Sequence, residues 1–170
     1  MLIAAGSSAA TNVYLGYGVS QSNWHGQAFF HSVTFERSGL APPRIVTSRF
    51  PNLRAGVSLS YSDVRQPRSW FGHTYGDPDD RVRAEWAYAF LRRSWKTTFV
   101  DFGTGPMWSN RRIPAATSRF NFHTQLGFGA SFGRLSLIYR FSHISNGELA
   151  RRNPGWNVHS LLAGTRIGGR

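Results

Sequence analysis

Apolar and polar residues alternate through most of the chain, and turn-forming residues separate the alternating stretches. A period of two residues is typical of a β-strand, because successive side chains point to opposite faces. The clearest stretch runs from Leu53 to Tyr61, where every second residue is apolar. Strands are predicted over about residues 12–19, 27–37, 52–62, 81–91, 95–105, 119–132, 135–145 and 156–167.

The number of strands and their composition favour an all-β fold, an eight-stranded antiparallel transmembrane β-barrel. Bacterial single-chain barrels have an even number of strands, with apolar side chains facing lipid and polar ones facing the lumen. The expected lumenal residues are Glu36, Arg54, Arg83, Glu85, Asp101, Gln125 and Arg140. Tryptophan favours the membrane interface, and Trp24, Trp70, Trp95, Trp108 and Trp156 lie near predicted strand ends. A soluble sandwich with the apolar faces packed inward is the alternative.

Connection lengths predict which end of the barrel faces outward. Long connections are expected at about 20–26, 63–80, 106–118 and 146–155, and short inner turns at 92–94 and at Gly133. Outer-membrane barrels have short periplasmic turns and longer outer loops. The seventh strand would therefore end near the outer surface. The connection over residues 38–51 is too long for a periplasmic turn and does not fit this rule.

Length and charge narrow the classes of function. The 170 residues fit one domain over 11–170, preceded by a possible signal-peptide remnant at 1–10. The net charge of +12 favours acidic partners, but the basic residues are scattered and no nucleic-acid motif is present. There is no cysteine, which excludes disulfides and thiol catalysis. The six histidines show no metal-ligand spacing, and His123 is expected in the lumen.

The seventh predicted strand carries the candidate chemistry. His143 and Ser145 share one face with Leu135, Leu137 and Tyr139, so an imidazole and a hydroxyl end an otherwise apolar face. A base can activate serine as a nucleophile, and histidine is the usual base near neutral pH. On a barrel this face would meet acyl chains, which suits an enzyme that cleaves lipid esters. A His-x-Ser sequence alone is weak evidence.

The wider pattern resembles a known family. The segments 119–130, 139–147 (Tyr-Arg-Phe-Ser-His-Ile-Ser-Asn-Gly) and 153–155 (Asn-Pro-Gly) resemble the PagL-type lipid A 3-O-deacylases. The resemblance implies an eight-stranded barrel in the bacterial outer membrane that hydrolyses the ester-linked acyl chain at position 3 of lipid A. Its substrate would be lipid A within lipopolysaccharide, and it implies no cofactor and no metal.

The resemblance also implies roles for individual residues. Ser145 would be the nucleophile and His143 its general base, while Asn157 stands where the family has a catalytic Glu. Asn157 can accept a hydrogen bond from the imidazole but lacks the stabilising charge, and Glu148 is the nearest alternative carboxylate. The expected oxyanion donors are in the following loop, at Asn146, Gly147, Asn153 and Gly155, although Asn-Pro-Gly is equally typical of a simple turn.

Two further expectations concern the loops. The arginines Arg111, Arg112, Arg151 and Arg152 are candidates for binding lipid A phosphates, or else form general surface charge. Because the family Glu is absent, a non-catalytic barrel that binds lipid or partners through its loops is the alternative to an esterase.

Overall fold

The computed structural model describes residues 9–21, 28–65, 69–70, 73–74, 82–111, 118–149, 153 and 155–168. The strands are β1 (Ala10–Gln21), β2 (Phe29–Leu40), β3 (Leu53–Arg65), β4 (Ser69–Trp70), β5 (His73–Thr74), β6 (Val82–Trp95), β7 (Thr98–Ser109), β8 (Phe120–Phe132), β9 (Leu135–Ser145) and β10 (Trp156–Gly168). One short helix, α1 (Arg44–Thr47), lies between β2 and β3. In the described part of the chain, no helix is long and apolar enough to cross a membrane.

Eight strands close into an antiparallel barrel in the order β1-β10-β9-β8-β7-β6-β3-β2. Closure is visible at Tyr14 of β1, which pairs with Thr34 on one side and Gly164 on the other. Strands β4 and β5 form a separate two-stranded sheet within the connection from β3 to β6. The structure confirms the predicted eight-stranded barrel and excludes the two-sheet sandwich.

The outer wall is largely apolar. On β9 the outward residues Leu135, Leu137 and Tyr139 are exposed, and Leu15, Phe35, Leu59, Phe102, Phe128 and Leu161 are their counterparts on other strands. Exposed apolar side chains around a closed barrel are what a lipid-facing surface requires. Trp95 and Trp108 also point outward as predicted, whereas the prediction for Trp156 is wrong, because its side chain is buried inside the barrel.

A network of buried charges crosses the inner half of the lumen. Arg92 contacts Glu36 at 2.8 Å and Asp101 at 2.6 Å, and Arg140 approaches Glu36 at 3.7 Å. Charges that are removed from water are tolerated when they are paired in this way. The network confirms that Glu36, Asp101 and Arg140 face the lumen.

Aromatic side chains fill the lumen nearer the other end. Phe30, Trp86, Tyr88, Phe90 and Trp156 belong to one buried cluster. His123 is buried beside it, with its ring centroid 5.1 Å from that of Trp86, as expected for a lumenal residue. This part of the bore is therefore packed.

Strand β6 reverses the predicted orientation. Arg83 and Glu85 were expected in the lumen but are exposed on the outer wall, while Trp86 and Tyr88 point inward. The bulky rings of this strand fill the bore, and its outward positions nearer the membrane centre carry the small residues Ala87 and Ala89.

The predicted inner turn at residues 92–94 is also wrong. Strand β6 continues to Trp95 and turns at Lys96 and Thr97, because Arg92 is held inside the barrel by the two carboxylates. The turn at Gly133 is confirmed. The long connection after β2 contains helix α1, and the end of β2 itself has a bulge between Ser38 and Leu40.

The connections after β1, β3, β7 and β9 lie at the end opposite the short turns, so Ser145 ends its strand at the outer rim. Residues 1–8 of the predicted signal-peptide remnant lie outside the described residues, and Ala10 begins β1.

Candidate active site

A histidine and an asparagine are hydrogen-bonded on the outer wall. His143 of β9 pairs in register with Asn157 of β10, and both side chains are exposed. The Nδ1 atom of His143 lies 2.8 Å from Oδ1 of Asn157. The two side chains meet because directly opposed residues of antiparallel strands place their Cβ atoms about 4.5–5.5 Å apart.

This contact fixes which ring nitrogen is available as a base. The Oδ1 atom of an amide can only accept a hydrogen bond, so Nδ1 of His143 carries the proton and donates it. The lone pair of the neutral ring is then on Nε2. Such a ring can take a proton from a hydroxyl at that nitrogen.

Ser145 is the hydroxyl placed beside this ring. It is half-buried, lies two residues beyond His143 on the same face, and pairs with Phe122 of β8. Residues at this spacing lie about 6–7 Å apart along a strand. Among the described residues, no hydrogen bond joins the Ser145 hydroxyl to the ring; contacts between nucleophile and base are often long in ligand-free enzymes and tighten with substrate.

Gly155 packs against the His143 ring. Its φ of +73° lies in the left-handed region, and a Cβ placed on it would be 2.6 Å from Cε1 and 3.2 Å from Nε2 of His143. No other residue would leave the ring in this position. The glycine of the Asn-Pro-Gly sequence thus leaves room for the His143 ring. Pro154 lies outside the described residues.

Hydrogen bonds organise the loop that follows Ser145. The backbone N–H of Asn146 donates to Oδ1 of Asn153 at 2.9 Å, and Oδ1 of Asn146 accepts from the backbone N–H of Glu148 at 2.8 Å. Gly147 has a φ of +59°, and a Cβ there would be 2.9 Å from the Phe122 ring. The loop is thereby folded back over the outer end of β8.

Glu148 does not occupy the place of the missing acid. Its side chain is exposed in this turn, and the Nδ1 atom of His143 is bonded to Asn157 instead. Of the four candidate phosphate ligands, Arg111 is exposed at the outer end of β7, and Arg112, Arg151 and Arg152 lie outside the described residues. Among the side chains that the structure describes, no group of three or more His, Asp or Glu residues could hold a metal ion.

Comparison with known proteins assigns the family. A family model described as Lipid A 3-O-deacylase (PagL) matches residues 55–166. The chain belongs to the PagL family. PagL-family membership and the eight-stranded barrel place the protein in the bacterial outer membrane. No functionally curated protein matches the sequence.

Solved structures support the fold of this PagL-family chain. The outer-membrane enzyme PagL is similar with a TM-score of 0.59 at 15% identity, covering 91% of this chain and 99% of that one. The outer-membrane protein Ail of Yersinia pestis has a TM-score of 0.56 at 10% identity, with coverages of 94% and 99%. Neisserial surface protein A has a TM-score of 0.54 at 11% identity, with coverages of 94% and 96%. At these identities the likeness concerns the fold alone.

The sequence did not reveal one further contact near the site. The hydroxyl of Tyr139 lies 2.7 Å from Nδ1 of His159, on the outer wall beside the pair of His143 and Asn157. Alternation along β10 places His159 on the same face as Asn157, but the register that brings Tyr139 to it is known only from the fold.

Proposed function

We propose that this protein is an outer-membrane esterase that removes the 3-O-linked acyl chain of lipid A. Family membership supports the substrate class. The observation that carries the proposal is the hydrogen bond from His143 to Asn157 on the lipid-facing wall, with Ser145 on the same face. His143 and Asn157 are exposed on the outer wall, so a substrate would approach from the membrane.

The proposed reaction uses the His143 ring as its base. Nε2 of His143 takes the proton of Ser145 as Oγ attacks the ester carbonyl, which forms a tetrahedral intermediate. The bond to the sugar oxygen then breaks, and His143 returns the proton to that oxygen. Water, deprotonated by His143, hydrolyses the acyl-serine ester, releasing the fatty acid and restoring Ser145.

The loop after Ser145 would supply the oxyanion donors. The Asn146 N–H is directed to Asn153 and therefore stabilises the loop. Oδ1 of Asn153 accepts that bond, so the Nδ2 hydrogens of the same amide point away from the Asn146 N–H. We assign these hydrogens and the Gly147 N–H as the donors to the oxyanion. Gly155 acts by leaving room for the His143 ring.

Asn157 would orient the base without stabilising its charge. In a serine protease, an amide in place of the acid costs about 10⁴-fold in kcat because it holds the wrong tautomer. Here Oδ1 faces Nδ1, so the productive tautomer is retained and only the charge is missing. The enzyme would be slower than one with a carboxylate but competent, as Cys-His-Asn proteases are.

The positive charge of the outer loops fits a phosphorylated substrate. Arg111 lies at the outer end of the barrel, and we assign it with Arg112, Arg151 and Arg152 to the lipid A phosphates. These contacts would hold the sugar above the rim while the acyl chains lie along the outer wall.

The missing carboxylate favours a second candidate, a non-catalytic barrel that binds lipid through its loops. Incubation of the purified protein with lipid A, followed by mass spectrometry, separates the two. Loss of one 3-O-linked acyl chain together with a released fatty acid supports the esterase. Intact lipid A at stoichiometric enzyme, with binding retained, would establish the non-catalytic barrel.

A further inference from the structure

A second polar pair lies on the lipid-facing wall beside the proposed catalytic residues. His159 of β10 is two residues from Asn157 on the same face, and its Nδ1 lies 2.7 Å from the Tyr139 hydroxyl of β9. The ring also packs against Phe141, with centroids 5.2 Å apart. We call this the Tyr139/His159 pair.

The pair always presents one hydrogen-bond donor to its surroundings. If the tyrosine hydroxyl donates to Nδ1, the proton of the neutral ring is on Nε2, which then donates outward. If Nδ1 donates to the tyrosine oxygen instead, the hydroxyl hydrogen is the one left to donate outward. Lipid tails contain no acceptor, and an unsatisfied polar group among them is costly. The ligand of this site therefore carries an acceptor oxygen.

The position of the pair relative to the apolar band of the barrel indicates which lipid oxygen it binds. On β10 the outward residues on the membrane side of His159 begin with Leu161 and Ala163, so His159 is the first polar residue above the apolar band. On β9 the corresponding residue is His143. The ester and amide linkages of a lipid lie at this boundary between the hydrocarbon core and the headgroups.

His159 and His143 are diagonal neighbours across β9 and β10, since His143 opposes Asn157. Such neighbours are about 7–8 Å apart. Ser145 is four residues along β9 from Phe141, the residue opposite His159, so its backbone is about 14 Å from that of His159. A lipid with several acyl chains can place one linkage at Ser145 and another at the Tyr139/His159 pair.

We propose that the Tyr139/His159 pair binds an acyl-linkage oxygen of a second acyl chain on the same lipid, and so selects multiply acylated lipids and sets which ester lies at Ser145. This inference rests on the proposed function for its substrate class.

Binding to a Ser145→Ala background tests the inference without requiring turnover. The ligands are lipid A and a lysophospholipid, which has a single acyl linkage, both measured in detergent micelles. Replacing both members (Tyr139→Phe with His159→Phe) removes every donor, whereas Tyr139→Phe with His159→Gln keeps an amide donor. Tyr17→Phe is the matched control, because Tyr17 packs against His31 on the outer wall of β1 and β2, with centroids 5.3 Å apart.

The double phenylalanine variant is expected to bind lipid A about three- to tenfold more weakly, as for one lost hydrogen bond. Its affinity for the lysophospholipid should not change, the glutamine variant should recover lipid A binding, and Tyr17→Phe should have no effect. Unchanged lipid A binding, or equal losses for both ligands, overturns the inference. If Ser145→Ala binds lipid A in this selective way while the wild-type protein releases no fatty acid, the proposed esterase is wrong and the binding site stands.

Discussion

Nδ1 of His143 and Oδ1 of Asn157 lie 2.8 Å apart across the β9 and β10 strands, on the wall of the barrel that faces lipid. An amide stands where the resemblance places a carboxylate, yet the hydrogen bond to the base is made. In the proposed mechanism, Asn157 would therefore orient the base without stabilising its charge, two contributions that an acid supplies together.

Substitution of this amide measures the two contributions. Asn157→Glu keeps the acceptor and adds the charge, so kcat on lipid A is expected to rise by at least about tenfold, as for about 1.4 kcal/mol of added transition-state stabilisation. Asn157→Leu removes the acceptor and should lower kcat below the wild-type value. Steady-state release of fatty acid gives both numbers. A folded but inactive Asn157→Glu would show that Asn157 is not in the position of the acid.

Gly155→Ala tests whether the His143 ring requires a residue without a side chain at position 155. The added Cβ would be 2.6 Å from Cε1 of His143, so the ring must move and deacylase activity should fall at least about tenfold while the barrel still folds. Gly133→Ala is the matched control. Gly133 has a φ of +65°, close to the +73° of Gly155, but no atom lies within 4 Å of its added Cβ. Equal activities of the two variants would contradict a role for Gly155 in positioning the base.

Arg92→Met tests the lumenal network. The change leaves Glu36 and Asp101 buried without their shared partner, and loss of one member of a buried ion pair costs about 3–5 kcal/mol. Urea unfolding in detergent, followed by tryptophan fluorescence, measures the free energy of unfolding. Arg93→Met is the control, since Arg93 is exposed with its guanidinium 5.2 Å from the Trp95 ring. If both variants unfold at the same urea concentration, the network does not stabilise the barrel.

Local pattern was sufficient for most of the barrel and for the face that carries the candidate catalytic residues. The alternation from Leu53 to Tyr61 gave a strand, and alternation from Leu135 to Ser145 correctly placed His143 on the lipid side, because the period of two is a property of each strand alone. Long connections at one end also located the outer rim.

What sequence could not provide depended on contacts between distant strands. Arg92 was wrongly predicted in a turn. Its partner Glu36 is 56 residues away, so no local feature of the sequence shows that this cation is held inside the barrel. On β6 the sequence alone did not determine which face is lumenal. Trp86 and Tyr88 face the lumen because their large side chains fill the bore. The bond between Tyr139 and His159 likewise required the register of two strands.

The rate of fatty-acid release from lipid A by the wild-type protein and by Ser145→Ala tests the central claim most directly. The account predicts turnover by the wild type and a loss of at least about a thousandfold in the variant, whose barrel remains folded. A folded Ser145→Ala protein that releases fatty acid at the wild-type rate would contradict it.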